Sequence, residues 1–179
     1  SSYYLDMSNH GPEAEREKYK LLLDILTPIT KTFPSEKGRE AVDNGLQVLG
    51  GYGFCSDFVL QQYYRDIRIF AIYEGTTGIQ SMDLLGRKIT MRGGEALQLL
   101  SAEMMATISA AMDYPELKPY AGKLGDRIKQ TQEVLSKLMP FAMKGEHERF
   151  LADATIFMEF FSTLVIAWQW LKMGVSAKQ

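Results

Sequence analysis

Apolar residues recur along this chain at alternating steps of three and four, the repeat of helices with one buried face, and no stretch alternates with the period of a strand. Leu22, Leu26, Ile29 and Phe33 form the first stripe. Pro28 lies inside it and predicts a kink, because proline removes a backbone donor. Pro34 restricts Phe33, which predicts a helix boundary there. Val42, Leu46 and Leu49 mark a second helix that ends at "GGYG", Gly50 to Gly53, where two glycines with positive φ can cap it. Asp57 is the expected N-cap of the next helix, whose apolar residues are Val59, Leu60, Tyr63, Ile67 and Phe70. That helix should finish near Tyr73. Glu74 and Gly75 then form a corner, and Thr76 or Thr77 caps a helix running to about Met91.

"RGG", Arg92 to Gly94, is the clearest internal break and sets the expected division into residues 1–92 and 93–179. Three long helical patterns follow it. The first uses Leu97, Leu100, Met104, Ile108 and Ala111. The second runs from Leu117 through Ala121, Leu124, Ile128, Thr131, Leu135 and Leu138 to Ala142. The third runs through Phe150, Ala154, Phe157, Phe161, Leu164, Trp168 and Leu171. Such spacing suits packed bundle helices. The short linkers "DYPE" and "MKGEHE" predict antiparallel neighbours, and the tail "GVSAKQ" reads as frayed. The expectation is an all-α protein, one helical bundle followed by a second. "SSYYLDMSN" at the start reads as the end of a helix, so the chain is expected to be a piece of a longer protein.

Composition narrows the function classes. Across 179 residues, 46% are apolar and 23% charged, as in an ordinary globular protein. The net charge of −2, with no dense Lys/Arg segment, gives no case for nucleic acid. The single cysteine, Cys55, excludes an internal disulfide and a cysteine-rich zinc site, and such usage suits the cytoplasm. His10 and His147 sit in polar settings and read as solvated, so neither a metal site nor a histidine triad is expected. No signal peptide is visible. Residues 154–171 form the most membrane-like run, but they contain Glu159 and Gln169 and fall short of the roughly 20 residues of a span. They read as a buried bundle helix.

Two segments carry candidate chemistry. "QVLGGYGF", residues 47–54, lacks the Lys-Ser/Thr of a phosphate loop and follows a helix, so it reads as a helix cap and turn. Glycine there also permits close approach of a flat or phosphorylated ligand. "AIYEGTTGIQ", residues 71–80, isolates Glu74 from charged neighbours in sequence. As a structural acid, Glu74 would cap the helix starting near Thr76. As a base, it would use partly apolar surroundings to raise its pKa and take a proton from carbon next to a polarised thioester carbonyl. The residues themselves leave both readings open.

The run "GLQVLGGYGF…YYRDIRIFAIYEGTTGIQ" resembles the C-terminal helical domain of the acyl-CoA dehydrogenase family, a four-helix bundle of which residues 1 to about 90 would form part. The following bundle, with "GIQSMDLLGRK", is similar to the extra C-terminal domain of the 3-methylmercaptopropionyl-CoA dehydrogenase-like branch. The resemblance implies FAD-dependent α,β-dehydrogenation of an acyl-CoA thioester to a trans-2-enoyl-CoA. Glu74 matches the family's base, Gly75 a residue against the thioester, and Thr76 a position beside the flavin. Gln47, Gly50 and Gly51 match a segment that contacts the adenine or pyrophosphate part of FAD, typically across a subunit interface. Arg65 and Asp66 match a pair whose plain reading is a helix-surface ion pair. Gly78 stands where many members carry Gln, so no flavin contact is assigned to it. Arg87 falls one residue from a substrate-binding position and is not assigned either. The resemblance also implies an electron-accepting flavoprotein partner and a homodimer or dimer of dimers. It implies that this chain alone is inactive, because the family's other domains hold most of the flavin and acyl pocket. A catalytically silent module for oligomerisation or partner binding is the alternative.

Overall fold

A computed structural model describes residues 1–178, and among them every regular element is helical. Helix α1 (Ser2–His10) packs against α2 (Glu13–Leu49), a single helix of 37 residues. The boundary expected at Phe33 is absent: Pro28 and Pro34 both lie inside α2. Packing outweighs the local cost of the prolines. Pro28 is fully buried, and Leu22, Ile25, Leu26 and Ile29 anchor the surrounding turns in the core. The hydroxyls of Thr27, Thr30 and Ser35 donate to the carbonyls of Leu23, Leu26 and Lys31, adding side-chain bonds through the same stretch.

Beyond Ser35, α2 leaves the core. Val42, Leu46 and Leu49 are only half-buried. The helix stops at Gly50 (φ 57°), and Gly51 opens the one-turn α3 (Gly51–Phe54), so one glycine of the expected pair has positive φ. Gly53 is required for a different reason. A Cβ there would meet the Leu46 carbonyl oxygen at 2.7 Å, so only glycine lets α3 fold back on α2.

Helix α4 (Leu60–Ile67) starts from Val59 with no side-chain cap, so the role expected of Asp57 is not filled. A 3₁₀ turn (Arg68–Ala71) leads to the Glu74 corner, and α5 (Thr77–Asp83) follows. Instead of continuing uniformly to Met91, α5 passes into a π-helical turn (Leu84–Lys88), in which the Ile89 amide donates to the Leu84 carbonyl. This turn buries Leu84, Leu85 and Lys88 together.

Lys88 donates to Asp24 Oδ1 at 2.8 Å and is nearly buried, whereas Asp24 stays partly open to solvent. Removing one partner of such a pair costs more than replacing the pair with apolar groups. Asp24→Ala should therefore destabilise the chain by about 2 kcal/mol. Lys88→Met, which brings its own apolar volume, should cost less. Denaturant midpoints of the two variants check that order.

Arg92, Gly93 and Gly94 all have positive φ, at 51°, 68° and 89°, and turn the chain into α6 (Glu95–Ala111). Next come α7 (Lys118–Met143), the short α8 (His147–Leu151) and α9 (Ala154–Ser176). The third long pattern is thus split at residues 152 and 153. The tail expected to fray is helical through Ser176, with Val175 buried and Lys178 paired with Glu116 at 3.1 Å. Gln179 lies outside the described residues.

One apolar core runs from Leu22 and Ile25 of α2 through Leu84 and Leu85 to Leu100 and Met104 of α6, Leu124 and Ile128 of α7, and Phe161 and Trp168 of α9. Helix α9 is long and apolar enough to cross a membrane, yet half of its most apolar window is buried against α5, α6 and α7. The core also has a limit. Between Leu46 and Met82 only Gly53, Ala71 and Ser81 are buried, and Val48, Tyr52, Phe54, Ile69, Phe70 and Ile79 stand exposed.

Candidate functional site

The corner expected at Glu74 exists, and its backbone is unusual. Glu74 has φ 53° and Gly75 has φ 95°. The left-handed region costs a residue with a side chain about 1–2 kcal/mol. Gly75 takes it freely, but Glu74 does not. The strain therefore has to be held from outside, and the hold comes from α2. Lys31 Nζ donates to the Tyr73 carbonyl at 2.6 Å and to the Glu74 carbonyl, and lies 5.5 Å from the centre of the Tyr73 ring. Gln80 Nε2 reaches the Glu74 carbonyl more weakly, at 3.4 Å.

The capping role expected of Glu74 is not filled by it. Thr76, not Glu74, is the N-cap of α5, its Oγ1 accepting from the Ile79 amide at 3.4 Å. Among the described residues no hydrogen bond or ion pair engages the Glu74 carboxylate. Its charged neighbour is Lys31, 43 residues away in sequence, and that ammonium holds carbonyls instead. The apolar surroundings expected around Glu74 are not supplied by this chain. Glu74 is exposed, and Ile72, Tyr73 and Ile79 are themselves about half exposed. After the corner, Thr77 Oγ1 donates to Glu36 Oε1 of α2 at 2.6 Å, and Ser81 donates back to the Thr77 carbonyl.

Gln47, Gly50 and Gly51 come together in a second place. They line an open cavity of ≈ 820 Å³ with Leu46, Tyr64 and Arg65, a lining that does not include Glu74, Gly75 or Thr76. Its lining offers bare backbone and one cation. A Cβ built on Gly50 or Gly51 would find nothing within 4 Å, so the backbone there is bare to a flat group, and Arg65 supplies positive charge for phosphate. The ion pair expected of Arg65 with Asp66 does not form, because adjacent positions on a helix point apart. Arg65 turns to the cavity instead.

Gly78 is exposed with nothing near it. Arg87 is held by Asp83 through bonds of 2.6 and 3.1 Å, and that bonding raises its guanidinium further above the ordinary value. His10 and His147 are both exposed, and no cluster of three or more potential metal ligands occurs among the described residues.

Sequence reasoning missed Lys31 and Glu36, and it read Arg65 as one half of a surface ion pair and not as a cavity residue. The first two look like solvated charges in "TKTFPSEKGRE", and no local signal ties them to a corner some forty residues later.

Comparison with known proteins covers nearly the whole chain. Residues 10–89 match the family described as acyl-CoA dehydrogenase, C-terminal domain, and residues 100–179 match acetyl-CoA dehydrogenase C-terminal like. The interval between the two matches contains the Arg92–Gly94 turn. The chain is 33% identical to the 3-methylmercaptopropionyl-CoA dehydrogenase of Ruegeria pomeroyi, over 97% of this chain and 29% of that protein. It is 31% identical to a broad-specificity linear acyl-CoA dehydrogenase of Mycobacterium tuberculosis, over 70% of this chain and 20% of that one. A butyryl-CoA dehydrogenase of Syntrophomonas wolfei is 38% identical over 58% of this chain and 17% of its own length. The chain therefore spans less than a third of the length of these relatives.

Proposed function

The chain belongs to the acyl-CoA dehydrogenase family, matching its C-terminal helical part, and on that premise we propose that it supplies the catalytic base of an FAD-dependent acyl-CoA dehydrogenase. The observation that carries the reading is a free carboxylate on a held corner. The Glu74 backbone is fixed in a strained conformation, the capping duty falls to Thr76, and the acid itself is left without a partner. A base needs that combination of fixed position and open reach.

In the proposed reaction the Glu74 carboxylate takes the α-proton of an acyl-CoA thioester, and the product is the trans-2-enoyl-CoA. Bound FAD supplies the acceptor for the β-hydrogen, which leaves as hydride. Gly75 lets the backbone approach the thioester end, since it carries no side chain at the turn, and Thr76 would lie beside bound flavin. Gln47, Gly50, Gly51 and Arg65 would hold the adenine and pyrophosphate end in the 820 Å³ cavity. In this reading the cavity and the Glu74 corner serve cofactors shared across a subunit interface, in a homodimer or dimer of dimers. The exposed apolar side chains from Val48 to Ile79 support the same arrangement, as they need cover from another part of the assembly.

An electron-accepting flavoprotein takes the reducing equivalents onward, and the protein works in the cytoplasm. The exposure of Glu74 to water supports the reading that the chain by itself is inactive.

The test is the visible spectrum of the full-length protein carrying this chain, before and after a panel of acyl-CoA thioesters. Bleaching of bound oxidised flavin by one of them is the expected result and identifies the substrate. A flavin-free or unresponsive protein, with its fold verified, would favour the silent-module reading.

A further inference from the structure

The Glu74 corner is tied to α2 on both sides, at Lys31 before it and at Glu36 after it. Lys31 Nζ donates to the carbonyls of Tyr73 and Glu74. Glu36 Oε1 accepts from Thr77 Oγ1 at 2.6 Å, and its other oxygen sits 3.5 Å from Arg39. Both anchors are charged; Lys31 turns its ammonium to carbonyls of the corner, and Glu36 divides its carboxylate between Thr77 and Arg39. A lysine at a half-buried position ordinarily points its ammonium to water or to a carboxylate. Here it points at two carbonyls flanking the residue with positive φ.

We infer that Lys31 and Glu36 are positioning residues for Glu74, a two-point clamp that keeps the base in its left-handed conformation and its carboxylate aimed outward. Two charge-assisted bonds from one ammonium oppose relaxation of the Tyr73–Glu74 peptide toward the ordinary helical region. The Glu36–Thr77 bond fixes the start of α5, so the corner cannot relax by moving as a unit. Neither side chain touches the proposed substrate. Lys31 acts through backbone carbonyls and Glu36 through the Thr77 hydroxyl, and α2 is a suitable mount because its Leu21–Ile29 segment is anchored in the core.

The inference rests on the reading of Glu74 as the base, so its test needs a readout that does not depend on turnover. In the full-length flavoprotein, Lys31→Met, Lys31→Arg and Glu36→Ala are compared with the parent. Amide hydrogen exchange at Tyr73, bonded to the Ile69 carbonyl, and over residues 79–83 at the start of α5 reports the hold on either side of the corner. Transient flavin reduction at saturating thioester, with thioester affinity measured separately, reports the chemistry.

Lys31→Met should speed exchange at Tyr73 and over residues 79–83 by roughly tenfold or more while α9 stays protected. It should slow flavin reduction by roughly 10–10²-fold with thioester affinity unchanged. Lys31→Arg, which keeps a donating cation, should recover most of both, and Glu36→Ala should give a smaller form of the Lys31→Met pattern. Unchanged exchange at Tyr73 and 79–83 overturns the clamp. So does faster exchange spread equally into α9, or slower reduction that traces wholly to weaker thioester binding. If no thioester reduces the flavin of the parent, the dehydrogenase reading fails, while the exchange comparison still decides whether Lys31 and Glu36 hold the corner.

Discussion

Glu74→Gln, placed in the full-length protein, should slow flavin reduction by an acyl-CoA thioester by about 10²–10⁴-fold, the span that general base catalysis contributes, with FAD still bound. The substitution is close to isosteric and acts only on the side chain. The clamp reaches Glu74 through its carbonyl, so Lys31 and Gln80 keep their acceptor in the variant. Thr76 still caps α5. No ion pair is lost, because the Glu74 carboxylate has none among the described residues. What disappears is the capacity to accept a proton from carbon. Stopped-flow reduction and the flavin content of the purified variant measure the two halves of this expectation. Unchanged reduction would remove Glu74 from the mechanism and leave the corner a structural feature. Glu74→Asp keeps the acid but withdraws it by one methylene, and should fall between Gln and the parent if position matters as the clamp implies.

The largest expected effect on stability belongs to Trp168. It is fully buried at the centre of α9, and its Nε1 donates to Thr107 Oγ1 of α6 at 2.8 Å. Phe161, two turns earlier, is equally buried and stacks on Phe157 with centroids 5.6 Å apart. Trp168→Ala should cost about 3–5 kcal/mol through lost burial and the cavity left behind. Trp168→Phe keeps much of the volume and loses the hydrogen bond, so a cost of about 1–2 kcal/mol is expected, combining the lost bond with imperfect filling. Trp170, two residues on, is 69% exposed and provides the contrast. Trp170→Ala should change stability by no more than about 0.5 kcal/mol. Equilibrium unfolding of the three variants measures that order, and near-equal losses at 168 and 170 would contradict the burial of Trp168.

Much of the fold follows from periodicity that can be read along one dimension. The stripes of α6 and α7 match buried residues almost position for position: Leu100, Met104, Ile108 and Ala111, then Ala121, Leu124, Ile128, Thr131 and Leu135. Helical spacing alone determines which side chains share a face, so these stripes survive any arrangement of neighbours. The local rules failed where a neighbour outweighed them. Pro34 should end a helix, and α2 runs through it because its preceding turns are anchored in the core. Asp57 is a good cap by type, but the chain enters α4 two residues later, at Val59. The tail reads as frayed by composition, yet Val175 is buried and Lys178 reaches Glu116, a partner 62 residues earlier.

The candidate site divides the same way. From its sequence alone this chain determined an all-helical protein, a Glu-Gly corner between two helices, and the residue types able to serve there, because these depend on short spacings and on what glycine, proline and threonine do locally. Only the tertiary structure decided that the Glu74 carboxylate is unpartnered while its backbone is clamped, that Thr76 does the capping, and that Arg65 faces the glycine-lined cavity instead of Asp66. Those outcomes depend on groups more than forty residues apart in the case of Lys31 and Glu36, and on which face of a helix meets open space in the case of Arg65. A linear pattern states which residues can bond; the packing of α2 against the corner decides which of them do.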